Sequence, residues 1–222
     1  MAIAVGDIHG CLDALQGLLR QVPPAEELVF LGDYIDRGPD SAGVVRFLRR
    51  LADQRPCRFL RGNHEALMLA AIADRSLAPS WFSNGGQATL ASYGVDPHRW
   101  PLSDDRGRFV ARDREFFESL SAYWEDDTTI FVHAGIDVRI PEMARQSEDA
   151  LLWIRERFYL NADRWQGKQI VFGHTPTLSM GLTGTAIFQR GNCHGIDTGC
   201  VYGGYLTALD TQTHALYQEP GP

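Results

Sequence analysis

The chain of 222 residues lacks several features that would assign it to a special class of protein. No stretch approaches the roughly 20 apolar residues of a membrane-spanning helix, and the chain opens directly into strand-like residues 2–5 without a basic leader. The four cysteines form no C-x-x-C pair, so we interpret them as reduced thiols rather than a disulfide framework. Basic residues are outnumbered, and the formal net charge of −7 argues against a nucleic-acid-binding face. We therefore expect a soluble, cytoplasmic, monomeric protein with no nucleic-acid or membrane partner.

Three short apolar runs each end in a polar motif that contains glycine. The motifs are GDIHG at residues 6–10, GDYIDRG at 32–38 and RGNHE at 61–65, and each is followed by a helix-like pattern. This repeated order predicts a parallel sheet with crossover helices. Ligands bind at the carboxyl ends of the strands in such sheets, which is where all three motifs fall. Two later strand-like runs deliver His133 and His174 in the same manner.

Residues 73–127 follow a different pattern, in which glycine and proline interrupt short helical pieces. We predict an inserted helical cap here, with a charged helix over residues 112–124, and assign it no chemistry. A further helix is predicted over residues 148–158. From about residue 186 onward, short strands alternate with glycine turns, which suggests antiparallel edge strands. No linker appears, so residues 1–222 are predicted to form a single catalytic domain.

The strand ends together present carboxylates, imidazoles and an amide oxygen. These donors suit manganese, iron or zinc, and the absence of cysteine among them argues against a structural zinc site. A lone histidine would more often be structural, but several that converge on one sheet edge indicate a metal site. Glu65 is interpreted instead as a residue that complements the dipole at a helix start.

The motifs GDIHG, GDYIDRG, RGNHE, HAG and FGH, in this order, resemble the phosphoprotein phosphatase family (PPP-type serine/threonine phosphatases) of the calcineurin-like metallophosphoesterases, in a compact bacterial-type form. The resemblance covers most of the chain. It implies an α/β fold, the metallophosphoesterase four-layer αββα sandwich, with a small helical insertion and two divalent metal ions at one sheet edge. Manganese is the expected ion, with iron or zinc as alternatives.

The resemblance also implies a role for each residue of the set. The metal ligands would be Asp7, His9, Asp33, Asn63, His133 and His174. Asp33 would bridge the two ions.

Two further roles concern the substrate. Arg37 would bind phosphate, and His64, oriented by Asp36, would be the general acid. A second phosphate-binding arginine is expected, for which Arg155 is the candidate; Arg157 and Arg145 lie nearby and the spacing does not decide.

The implied function is hydrolysis of phosphoserine and phosphothreonine in proteins, or of small phosphoesters, by direct attack of a metal-bridging hydroxide. A bis(5'-nucleosyl)-tetraphosphatase is the nearest alternative, because it shares the metal motifs. Glu65, where that alternative is expected to have aspartate, and the short chain both favour the phosphatase. A non-catalytic phosphate-binding module is disfavoured, because the predicted ligand set is intact.

Overall fold

The computed structural model describes residues 2–24, 26–100 and 107–222. Five of its strands form a first sheet: β1 Ala2–Val5, β2 Glu27–Phe30, β3 Cys57–Phe59, β9 Tyr205–Asp210 and β10 Leu216–Pro220. Their spatial order is β10-β9-β1-β2-β3. The pairs β1–β2 and β2–β3 are parallel, as predicted, while β9 runs antiparallel to β1 and β10.

The other five strands form a second sheet: β4 Tyr123–Glu125, β5 Thr129–Val132, β6 Gln169–Phe172, β7 Phe188–Arg190 and β8 Cys193–Gly195. Their order is β4-β5-β6-β8-β7, with β5, β6 and β8 parallel and the two edge strands antiparallel.

Within the described residues, eight α-helices connect these strands. They are α1 Leu12–Gln21, α2 Ser41–Ala52, α3 Asn63–Ala73, α4 Ala78–Ser83, α5 Gly86–Ser92, α6 Arg114–Glu118, α7 Glu148–Trp153 and α8 Glu156–Tyr159. Among the described residues, no helix is long and apolar enough to cross a membrane.

The two sheets pack face to face, with helices on their outer sides. Successive strand residues point to opposite faces, so Ile3 and Val5 pack against α1 and α2 while Ala2 and Ala4 face the second sheet. Phe131 of β5 and Val171 of β6 join that inter-sheet cluster. The other face of the second sheet is covered by α7 and α8. The resulting order of layers is helices, sheet, sheet, helices.

The helix predicted over 112–124 is present only as α6, and the rest of the prediction is wrong, because tertiary pairing overrides the helical pattern after Glu118. The backbone of Ser121 accepts a hydrogen bond from Arg61 N at 2.8 Å and donates one to Phe59 O at 3.2 Å. The chain then continues as β4, which pairs with β5. The predicted helix over 148–158 is likewise divided, into α7 and α8, by extended Ile154 and by Arg155.

Candidate metal and active site

The site lies where the carboxyl ends of both sheets meet. The turns after β1, β2, β5 and β6 place Asp7, Asp33, His133 and His174 at this edge. Backbone contacts join the turns across the two sheets: His174 N donates to the carboxylate of Asp7 at 3.0 and 3.1 Å. Glycine is required here, since a side chain at Gly173 would collide with the Asp7 carboxylate.

Asp33 occupies the centre of the cluster. Its Oδ2 lies 3.5 Å from Nε2 of His9 and 3.5 Å from Nε2 of His133, and 3.9 Å from Nε2 of His64. Two compact donor groups share this carboxylate. One consists of His9, Asp33 and His64, and the other of Asp33, His133 and His174. A carboxylate common to both groups is what a bridging ligand requires.

Three of the imidazoles present a bare nitrogen to this cluster. The Nδ1 atoms of His9 and His133 lie 2.8 and 2.9 Å from the carbonyl oxygens of Ile35 and Leu31, which can only accept, so Nδ1 carries the proton in each ring. The Nε2 of His133 then faces the side-chain oxygen of Asn63 at 2.9 Å, acceptor against acceptor. Nε2 of His174 is buried and has no hydrogen-bond partner among the described residues.

Burial shifts the pKa values of the ligand candidates in directions that suit a cation. Desolvation lowers the pKa of His133 to about 3 and places the pKa of His9 and His174 well below the ordinary range, so these rings are neutral and able to ligate. Desolvation raises the pKa of Asp7 and Asp33, and neighbouring carboxylates raise both further. Bound divalent cations would offset both the desolvation of these carboxylates and the repulsion between them, and the neutral imidazoles could ligate the same ions. The donor set therefore fits metal ions.

A second set of contacts surrounds His64. Its Nδ1 lies 2.7 Å from Oδ2 of Asp36, and both side chains are buried. Trp81 Nε1 donates to both carboxylate oxygens of Asp36, at 3.0 and 2.9 Å, and the Thr89 hydroxyl donates to Oδ1 at 2.5 Å. Burial raises the pKa of Asp36 to about 7, and these two donors oppose that rise.

Burial also lowers the pKa of His64, to about 2, mainly by desolvation and then through Arg37 and Arg155. Each shift stabilises the uncharged form of its group, and together these forms make a net-neutral pair with one proton between Nδ1 of His64 and Asp36. The Nε2 of His64 then carries a second proton and faces the cluster around Asp33.

The two predicted phosphate-binding arginines lie at this site, and the alternatives do not. A guanidinium nitrogen of Arg37 contacts Nε2 of His9, and Nη1 of Arg155 donates to His174 O at 3.2 Å and to Thr175 Oγ1 at 3.3 Å. The break between α7 and α8 gives Arg155 this position.

The other two arginines have partners elsewhere. Arg157 pairs with Asp137 at 2.5 Å, and Arg145 with Glu142 at 3.5 Å. Of these three arginines, Arg155 is the one whose guanidinium contacts residues of the site, and its role toward phosphate stays a prediction.

Backbone conformation concentrates strain at the same place. Five non-glycine residues of the site adopt left-handed φ angles between 45° and 72°: His9, Asp33, Asp36, Arg37 and His174. Such conformations are sparsely populated and cluster at functional sites.

Four residues near the site were not predicted from the sequence to shape it or to contact its candidate catalytic and ligand residues. The carboxylate of Glu65 accepts hydrogen bonds from the backbone nitrogens of Asp33, Tyr34 and Gly62 at 2.8 to 3.0 Å, so it shapes the central turn as well as complementing a helix start. Asp197 is buried, and its charge raises the pKa of Asp7.

The remaining two, Trp81 and Thr89, come from the insertion to which no chemistry was assigned. No short sequence motif indicates that these two side chains donate hydrogen bonds to the Asp36 carboxylate.

Comparison with known proteins agrees with this geometry. The model of the calcineurin-like phosphoesterase family matches residues 2–203. The chain is 31% identical to serine/threonine-protein phosphatase 1 of Salmonella typhimurium over 216 residues, which cover 94% of this chain and 90% of that protein. It is 28% identical to the asymmetrical bis(5'-nucleosyl)-tetraphosphatase PrpE of Halalkalibacterium halodurans, over 92% of this chain and 87% of that protein.

The crystal structure of a candidate diadenosine tetraphosphatase superposes with a TM-score of 0.73 at 26% identity, covering 100% of this chain and 93% of that one. The chain therefore belongs to the calcineurin-like phosphoesterase family, and its two sheets with outer helices are the metallophosphoesterase fold predicted above. Members of this family typically bind two divalent metal ions, and the histidine and aspartate groups described above fit such ions.

Proposed function

We propose that the protein is a metal-dependent phosphomonoesterase that hydrolyses phosphoserine and phosphothreonine in proteins. The observation that carries this proposal is the buried His64–Asp36 pair beside the candidate ligands, with Nδ1 and Oδ2 2.7 Å apart. A serine or threonine alkoxide is a poor leaving group and needs a proton as its bond to phosphorus breaks. A pair that holds a proton on Nε2 of His64 meets that need.

Each group of residues has a part in this reaction. Asp7, His9, Asp33, Asn63, His133 and His174 would hold two divalent ions, for which manganese is our proposal. Bound there, the ions supply Lewis acidity for attack by water. Arg37 and Arg155 neutralise and orient the phosphate, and His64 delivers its Nε2 proton to the departing oxygen. Asp36 holds the imidazole in position; the remaining proton stays on Nδ1 of His64, and the Asp36 carboxylate that accepts it in a hydrogen bond is then ionised.

A leaving-group series tests the proposal. His64→Asn should reduce turnover of a phosphothreonine peptide by about 10²–10⁴-fold, the usual contribution of general acid–base catalysis. The reduction should be distinctly smaller for p-nitrophenyl phosphate, whose phenolate leaves without a proton. Both activities should be measured at saturating manganese, with the metal content of each preparation determined. Equal reductions for both substrates would mean that His64 serves only to position phosphate or metal.

Cleavage of diadenosine tetraphosphate is the second candidate function. It is favoured by the tetraphosphatase names of several relatives, including PrpE of Halalkalibacterium halodurans. Parallel assays of the manganese-loaded protein on the phosphothreonine peptide and on diadenosine tetraphosphate separate the two. Preference for the dinucleotide, expressed as kcat/KM, would replace the first proposal by the second.

A further inference from the structure

A groove opens beside the phosphate-binding arginines, and the reaction proposed above leaves it unused. It has a volume of about 480 Å³ and lies between residues 176–184 and residues 198–205. Leu178 and Leu182 of the first segment, Tyr202 and Tyr205 of the second, and Arg155 all line it. This volume is within the range of small-ligand sites, roughly 300–1,000 Å³.

The groove is continuous with the candidate phosphate site. Arg155, which lines it, also donates to the carbonyl oxygen of His174. The guanidinium of Arg37 lies over the ring of Tyr202, 5.6 Å from its centroid. A substrate whose phosphate is held by both arginines therefore has its neighbouring atoms at the mouth of this groove.

Apolar exposure is concentrated here. Among the large hydrophobic side chains that the structure describes, the two most exposed are Leu178 at 70% and Tyr202 at 60%, and both line the groove. Exposed apolar side chains that are grouped at a concave surface mark binding sites rather than chance exposure.

The charge of the lining restricts the occupant. Among the described residues, no lining side chain carries a carboxylate, and Arg155 is the one cation. A polyphosphate chain in the groove would meet Arg155 in the lining and Arg37 over Tyr202, but no other cation among the described lining residues, which disfavours a chain of several phosphates here. An uncharged apolar side chain meets leucine and tyrosine contacts with no desolvated charge opposite it.

We propose that this groove binds an apolar side chain close in sequence to the phosphorylated residue of a protein substrate. The inference rests on the proposed phosphatase function and adds a sequence preference to it. In an extended peptide successive residues are about 3.3 Å apart, so the residues that flank the phosphorylated one can enter the groove.

The test uses the manganese-loaded protein and phosphothreonine peptides with leucine, alanine, glutamate or lysine placed in turn at each of the two positions on either side. The wild-type protein should favour leucine over alanine at one position by about tenfold in kcat/KM, the size expected for an apolar contact. The double variant Leu178→Ser/Leu182→Ser should bring this ratio close to one. Leu160→Ser is the matched control: this leucine is 54% exposed, does not line the groove, and its variant should keep the ratio.

A charge variant tests the same groove by a gain rather than a loss. Thr183→Glu places a carboxylate in the lining and should raise kcat/KM for the lysine peptide relative to the glutamate peptide by about twofold to fivefold, the range of an exposed ion pair. Misfolding would lower kcat/KM for both peptides and cannot produce this change in their ratio.

Three results would overturn the inference, and they are distinguishable. Unchanged leucine-to-alanine ratios in the double variant would show that the groove does not contact the peptide. An effect of the groove variants on diadenosine tetraphosphate but not on the peptides would identify a nucleoside as the occupant. If the protein hydrolysed p-nitrophenyl phosphate but none of the phosphopeptides, the proposed function itself would be refuted, and this inference with it.

Discussion

Trp81→Phe should slow the reaction through Asp36, although residue 81 lies outside the five sequence motifs, in the predicted insertion. The indole Nε1 lies 3.0 and 2.9 Å from the two oxygens of a fully buried carboxylate. Phenylalanine keeps most of the ring and removes this donor. When His64 gives up its Nε2 proton, Asp36 must be ionised, so losing the donor destabilises the state that follows proton transfer.

The magnitude follows from the value of a hydrogen bond to a charged group, about 1.5–3 kcal/mol. Because about 1.36 kcal/mol corresponds to a factor of ten in rate, the reduction has an upper limit of roughly tenfold to 150-fold. The Thr89 hydroxyl, 2.5 Å from Oδ1, remains as a donor and keeps the effect below that of removing His64.

The assay compares kcat on a phosphothreonine peptide with kcat on p-nitrophenyl phosphate at saturating manganese. Trp81→Phe should lose more activity on the peptide. Phe109→Leu is the packing control, because this ring stacks on Trp81 with centroids 6.3 Å apart and has no hydrogen-bonding group. Equal losses on both substrates, or the same loss in Phe109→Leu, would refute the argument and leave Trp81 a packing residue only.

Four additional predictions concern the metal centre and its support. Asp33→Asn should reduce metal content and abolish turnover, because this carboxylate is common to both donor groups; two ions per chain by elemental analysis would contradict a bridging role. Arg37→Ala should keep its metal and weaken inhibition by inorganic phosphate by about 1.5–3 kcal/mol, the value of a charge-assisted contact, and an unchanged inhibition constant would exclude this contact. Glu65→Gln replaces one accepting oxygen by a donor facing backbone N–H groups; a loss of about 2 kcal/mol should lower Tm by roughly 4–8 °C, whereas the exposed control Glu118→Gln should keep the wild-type Tm. Chelation by EDTA should lower Tm and manganese should restore it, because metal binding stabilises the folded state by about 2.7 kcal/mol per site at 100 times Kd. A Tm that responds to neither would argue against metal binding at these residues.

Much of the architecture could be predicted because its signals are local. Each apolar run of four or so residues ends in a glycine motif, and the parallel pairing of β1, β2 and β3 follows from that order. The candidate ligands could be named for the same reason, since the ends of parallel strands converge on one edge. The exact arrangement of these ligands could not be predicted. The compact donor group around His9, for example, contains His64 and not Asp7.

Predictions failed where distant pairing decides the structure. The pattern over 112–124 is helical by composition, yet Ser121 forms backbone hydrogen bonds to the edge beside β3 and draws the chain out of α6. The break that positions Arg155 is similarly invisible in a run of helix-forming residues, because it is set by packing of α7 and α8 on the second sheet.

Contacts between residues distant in sequence also connect the predicted insertion to the site, where the insertion supports the turn at Asp36. Asp36 has a left-handed φ of 72°, a conformation that costs about 1–3 kcal/mol. Its backbone nitrogen donates to Ser41 Oγ at 3.0 Å and to Thr89 Oγ1 at 2.9 Å, and Arg37 N donates to the carbonyl oxygen of Gly85 at 3.3 Å. The turn that carries Asp36 and Arg37 is therefore held from both sides, by α2 and by residues of the 73–127 segment. Because the same threonine also hydrogen-bonds the Asp36 carboxylate, the insertion fixes both the shape of the central turn and the charge that it presents to His64.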